Sequence, residues 1–142
     1  MTWLLEVNVI LALTDPRHLH HDAAHRWFTG ERDRGWATCP ITENGFVRIV
    51  SHPKYPNRPG DAPTVLSILR RLCALPGHEF WQADISIRAQ LPSDAAFTHA
   101  QVTDLYMLAL AVHHGGRLVT FDQGIAIGTV PGGAAAIEVI RA

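Results

Sequence analysis

The chain has 142 residues, 47% of them hydrophobic and 18% charged, with a formal net charge of −1. That length supports one domain, 1–142, with a sizeable buried core, and the composition is that of an ordinary globular protein. Near-neutral charge excludes a uniformly basic nucleic-acid-binding surface, and no apolar run reaches the roughly 20 residues of a membrane span.

In chain order, Trp3-Leu4-Leu5 predicts a short buried strand with Glu6 at its carboxyl end, and Asn8 to Leu13 a helical turn stopped by Asp15-Pro16. This apolar start has no basic leader and no small-residue cleavage site, so it is expected to be core and not a signal peptide. Asp22 to Phe28 has helical composition, with Ala24, Trp27 and Phe28 on one face and Gly30 closing it. Trp36-Ala37-Thr38 predicts a second strand, and Thr42 to Val50 a helix with Glu43 near its start. His52 to Pro63 holds four prolines and is expected to be a loop, mobile or facing substrate.

Thr64 to Leu75 keeps the 3.6-residue period through Val65, Ile68, Leu69 and Leu72. His78 to Trp81 predicts a third strand. Val102 to His113 predicts the strongest helix, ended by Gly115-Gly116, with Thr103 or Gln101 as its cap. Arg117 to Phe121 predicts a strand that delivers Asp122, and Ile137 to Ile140 a last one. Strands alternating with helices imply a three-layer α/β/α sandwich around a mostly parallel sheet of about five short strands. In such sheets ligands sit outside the carboxyl ends of the strands, where Glu6 and Asp122 are expected.

Four acids are set into stretches that otherwise read as core: Glu6 in WLLEVNVILAL, Glu43 in CPITENGFVRIV, Asp104 in QVTDLYMLALAV and Asp122 in RLVTFDQG. A buried carboxylate needs a partner or a cation. Each has an ordinary explanation alone: a helix start for Glu43 and Asp104, a turn for Asp122, a frayed end for Glu6. Together they point to carboxylates gathered around a hard divalent cation, Mg2+ or Mn2+ in preference to zinc because every ligand is oxygen. Such a site serves metal-dependent phosphodiester chemistry.

Positive charge is concentrated between Asp15 and Gly60, in Arg17, Arg26, Arg32, Arg34, Arg48, Lys54 and Arg58, with five histidines among them. A zinc site among His18, His20, His21 and His25 is weighed against a surface loop leading into a helix, and the surface reading is preferred because no cysteine lies near. Cys39 and Cys73 form no CxxC pair and are expected to be reduced thiols, in keeping with a cytoplasmic protein.

The segments LLEVNVILAL, ATCPITENGFVRIV and QVTDLYMLALAVHHGGRLVTFDQG, in that order, resemble the signature segments of PIN-domain ribonucleases, and among them the VapC toxins of type II toxin–antitoxin modules. The resemblance runs nearly end to end. It implies a Mg2+- or Mn2+-dependent endoribonuclease that cuts structured RNA (tRNA or rRNA), is inhibited by a cognate VapB antitoxin, and forms a homodimer. Residue by residue, it makes Glu43, Asp104 and Asp122 metal-binding acids, with Asn8 and Thr120 as supporting or phosphate-contacting groups. Arg17, His21, Arg26 and Arg48 are then expected to meet the RNA backbone.

Position 6 departs from the pattern: the family places aspartate where this chain has Glu6. One extra methylene carries the carboxylate about 1.5 Å further, and Mg2+ tolerates misplaced ligands poorly. Two readings therefore stand, a working nuclease that uses Glu6 and a PIN-fold RNA- or antitoxin-binding protein with attenuated or lost catalysis. A phosphoryl-accepting α/β domain is disfavoured, since it needs an aspartate after the first strand and a well-placed lysine.

Overall fold

A computed structural model describes residues 1–141. Its sheet has the strand order β3-β2-β1-β4-β5, built from β1 (Trp3–Leu5), β2 (Trp36–Thr38), β3 (His78–Phe80), β4 (Arg117–Thr120) and β5 (Ile137–Val139). Every pairing is parallel. The helices are α1 (Val7–Thr14), α2 (His21–Glu31), α3 (Pro40–Val50), α4 (Ala62–Cys73), α5 (Ile87–Gln90) and α6 (Val102–His113).

Alternation along β1 divides the interior in two. Trp3 and Leu5 point into a core shared with Val9 and Ile10 of α1, Phe28 of α2, Phe46 of α3 and Leu69 of α4. Leu4 points to the other face, where it meets Leu105 and Leu108 of α6 together with Leu118. A strand buried on both faces must be apolar at every position, and Trp3-Leu4-Leu5 is. The three-layer architecture expected from the sequence is the one observed, with all five strands parallel.

The strand and helix assignments hold, with differences at the ends. β5 stops at Val139, one residue short of expectation. The short α5 and several 3-10 turns escaped sequence reading because four-residue helices carry no periodicity. The helix α6 is entered through a 3-10 turn at His99–Gln101 closed by a reciprocal Thr98–Gln101 capping box, so neither Thr103 nor Gln101 caps α6 with its side chain.

The proline-rich loop is tied down where mobility was expected. Tyr55 Oη and Asn57 Nδ2 both donate to one oxygen of Asp15, at 2.9 and 2.8 Å, while the Arg17 N–H donates to the other. Asp15 thus ends α1 and anchors a segment 40 residues away. No helix among the described residues is long and apolar enough to cross a membrane.

Candidate active site

In a parallel sheet each strand and the helix that follows it reverse direction, so loops leaving the strands gather at one edge. Glu6 follows β1 directly and occupies the N-cap position of α1, yet its side chain does not cap that helix. It points across to β4 instead, where the fully buried Thr120 donates to Glu6 Oε2 at 2.8 Å. Two residues on, Asp122 leaves the same strand. Asp104 reaches this edge from the first turn of α6, the helix that runs back to begin β4.

Thr120 is the hub of the arrangement. Besides donating to Glu6, its hydroxyl accepts from Asn8 Nδ2 at 3.2 Å and from the Asp122 N–H at 3.0 Å. Asn8 lies two residues past Glu6, in the first turn of α1, and its Oδ1 accepts from the Phe121 N–H at 3.4 Å. These bonds lock the start of α1 to the end of β4. The Asp122 carboxylate also accepts from the Gly124 N–H at 2.7 Å, which fixes the turn after β4.

Burial pushes the Glu6 carboxyl up to about 7, the negative charges of Asp104 and Asp122 add to the rise, and the hydrogen bond from Thr120 opposes it. Asp104 is likewise raised, by burial first and by the charge of Asp122 second. Among the described residues no lysine or arginine pairs with any of these three acids. Glu6 and Asp104, both raised by burial and by neighbouring negative charge with no protein cation to relieve them, suit a hard divalent ion together with Asp122. Their oxygens do not all converge within 4.8 Å, a spread compatible with an ion that keeps several of its waters.

Glu43 stands apart. It lies in the first turn of α3, after β2, at the same edge of the sheet. However, Thr38, the buried last residue of β2, donates to Glu43 Oε2 at 2.6 Å, and the carboxylate faces Cys73 and His78. The structure therefore brings Glu6, Asp104 and Asp122 together and turns Glu43 toward β2 and β3. Sequence reading passed over Thr38, Cys73 and His78; the Cys-x4-His spacing across Ala-Leu-Pro-Gly was the available signal.

Part of the basic set falls on two adjoining surfaces. Arg17 and Arg58 line one open cavity, Arg48, His52 and Lys54 a second, and Pro56 belongs to both. Arg26 is exposed on α2 and lines neither. His21 Nδ1 donates to the Ala12 carbonyl at 2.7 Å and His25 Nε2 to the Leu13 carbonyl at 2.9 Å. These imidazoles cap the free carbonyls at the end of α1, which explains the His-x3-His spacing that resembled a zinc motif. His20 stacks on Phe121 at 4.8 Å, beside the acidic edge.

A family model described as the PIN domain matches residues 4–127. Ribonuclease VapC44 of Mycobacterium tuberculosis is 49% identical over 134 residues, spanning 93% of this chain and 94% of that protein. Ribonuclease VapC39 of the same organism is 44% identical over 128 residues, spanning 89% and 92%. Among solved structures, the crystal structure of VapBC2 from Rickettsia felis bound to a DNA fragment from their promoter contains a similar chain. It superposes with a TM-score of 0.62 at 15% identity, covering 86% of this chain and 89% of that one. At that identity the likeness speaks for the fold alone.

Proposed function

The chain belongs to the PIN-domain family and within it to the VapC ribonucleases, and from that we propose that it is the toxin of a VapBC type II module, an endoribonuclease dependent on Mg2+ or Mn2+. The observation that carries this reading is the unpaired trio Glu6, Asp104 and Asp122, each reached from a different element at the carboxyl edge of the sheet. These three would hold the ion; Glu43, held by Thr38 in this structure, would have to turn from that bond to join them as a fourth carboxylate. The bound ion would supply an activated water and charge stabilisation for in-line displacement at an RNA phosphate.

The chain's own residues then have distinct tasks. Thr120 holds the Glu6 carboxylate in place, and Asn8 holds Thr120. Asp122 is set by its own backbone N–H on the Thr120 hydroxyl and by the Gly124 N–H. Arg17, Arg26 and Arg48 would neutralise RNA phosphates with guanidinium forks. His21, whose Nδ1 serves Ala12, would contribute through Nε2. Structured RNA (tRNA or rRNA) is the proposed substrate, a cognate VapB antitoxin the proposed inhibitor, and a homodimer the proposed assembly.

One observation favours the second reading, a PIN-fold binding protein with attenuated catalysis. A carboxyl raised to about 7 is only partly ionised at neutral pH, and Glu6 replaces the aspartate of the family pattern. Digestion of total tRNA and rRNA with Mg2+, Mn2+ or EDTA, beside a Glu6→Asp variant, separates the two. Discrete metal-dependent cuts by the parent are expected, with Asp104→Ala and Asp122→Ala folded and silent. Cuts from Glu6→Asp alone would establish the attenuated protein, and undiminished cutting by Asp104→Ala would place the chemistry elsewhere.

A further inference from the structure

The carboxylate of Glu43, the thiol of Cys73 and the imidazole of His78 place one ligand atom each within 4.8 Å of one another. The hydroxyl of Thr38 sits among them, 2.6 Å from Glu43 Oε2 and 2.8 Å from His78 Nε2, and within hydrogen-bonding reach of Cys73. We propose that Glu43, Cys73 and His78 form a three-ligand site for a borderline-soft divalent cation of the zinc type, separate from the acidic trio around Glu6.

The donor set decides the class of ion. A thiolate and an imidazole disfavour Mg2+ and suit Zn2+, which takes sulfur, nitrogen and oxygen together and commonly keeps a fourth position for water. Tetrahedral ligands at about 2.0–2.3 Å from the ion lie roughly 3.3–3.8 Å apart. Side-chain movements of about an ångström would bring these three to that spacing. All three residues are only partly buried, so an ion can reach them.

The backbone around the ligands is already fixed. Cys73 ends α4 and His78 opens β3, joined by the turn Ala74-Leu75-Pro76-Gly77. Trp36 pins that turn twice: its Nε1 donates to the Pro76 carbonyl at 3.1 Å and its N–H to the Gly77 carbonyl at 3.0 Å. The His78 ring packs on Trp36 at 4.7 Å. Gly77 has φ +87°, and a Cβ there would lie 2.6 Å from the Arg32 carbonyl, so only glycine fits this close approach of the turn to the end of α2. Rigid support of this kind is what a metal site needs.

Glu43 cannot serve this site and the acidic trio at once. A zinc-type ion here would therefore withdraw one carboxylate from the nuclease site, a consequence that rests on the proposed function, whereas ion binding itself does not.

Titration of the full-length protein with Co2+ tests the site without RNA. One equivalent should give a thiolate-to-cobalt charge-transfer band that Zn2+ bleaches. The band should vanish in Cys73→Ala, weaken at least about tenfold in affinity in His78→Ala, and persist in Asp104→Asn. No thiolate band, or a band that survives Cys73→Ala, overturns the site. In Mg2+-supported cleavage, Zn2+ should slow the parent at least about tenfold more than Cys73→Ala. Equal slowing of the two overturns the sharing of Glu43. Absence of any RNA cleavage would sink the nuclease reading and leave the cobalt band to decide the site.

Discussion

Two threonines at strand ends do the same work for two glutamates. Thr120 at the end of β4 holds Glu6, and Thr38 at the end of β2 holds Glu43. Both are fully buried, so their hydroxyls must find partners, and a charge-assisted bond to a carboxylate satisfies that need. Removing the hydroxyl by Thr120→Val should raise the Glu6 carboxyl further, since that bond is the largest of the interactions opposing its rise; carboxyl titration by NMR reads it. Glu6 also makes stability depend on pH. Its folded value, about 7, lies above its ordinary 4.5, so the folded state holds the proton more tightly than the unfolded one. Without added metal, the Glu6 contribution to stability should be fully present below about pH 4.5 and be lost as pH rises through 7, by on the order of 2–3 kcal/mol. Melting scans in EDTA should show this slope, Glu6→Gln should flatten it, and Mg2+ should offset it at pH 8. A Glu6→Gln slope equal to the parent's would mean another group controls it.

At the scale of elements, junctions carry the constraint. Gly116 joins α6 to β4, and a Cβ there would lie 2.4 Å from the Thr2 carbonyl and 2.7 Å from the Trp81 ring. Backbone cannot yield as a flexible side chain does, so Gly116→Ala should destabilise by about 2 kcal/mol or more and lower the denaturant midpoint without changing its slope. That junction positions β4, and with it Thr120 and Asp122. The strands and long helices were legible in the sequence because Trp3-Leu4-Leu5 is a continuous apolar run and Val65 and Leu69 repeat with the helical period. Glu6 and Asp122 were legible as strand-end acids. What was not legible is rotameric and long-range: that Glu43 turns to Thr38, that His21 and His25 cap α1, and that Asp15 grips Tyr55 and Asn57. Such pairings depend on which elements meet in space, and no local pattern encodes them.

Across the whole molecule, charge is segregated where net charge is nearly zero. Arg17, Arg58, Arg48 and Lys54 gather around Pro56, while the acids hold the carboxyl edge of the sheet. Binding of RNA should weaken steeply with salt, and the double change Arg17→Ala, Arg48→Ala should reduce the slope of log K against log salt by about 1–2. An unchanged slope in a filter-binding series would move the RNA path away from this surface. The hydrogen bond from Thr120 to Glu6 spans 114 residues, because β4 slots beside the first strand only after most of the chain exists. During synthesis, then, the emerging polypeptide has no assembled carboxylate edge while the ribosome is still making its middle. Under the proposed function, a chain stopped before β4 lacks Thr120 and Asp122 and should leave RNA uncut.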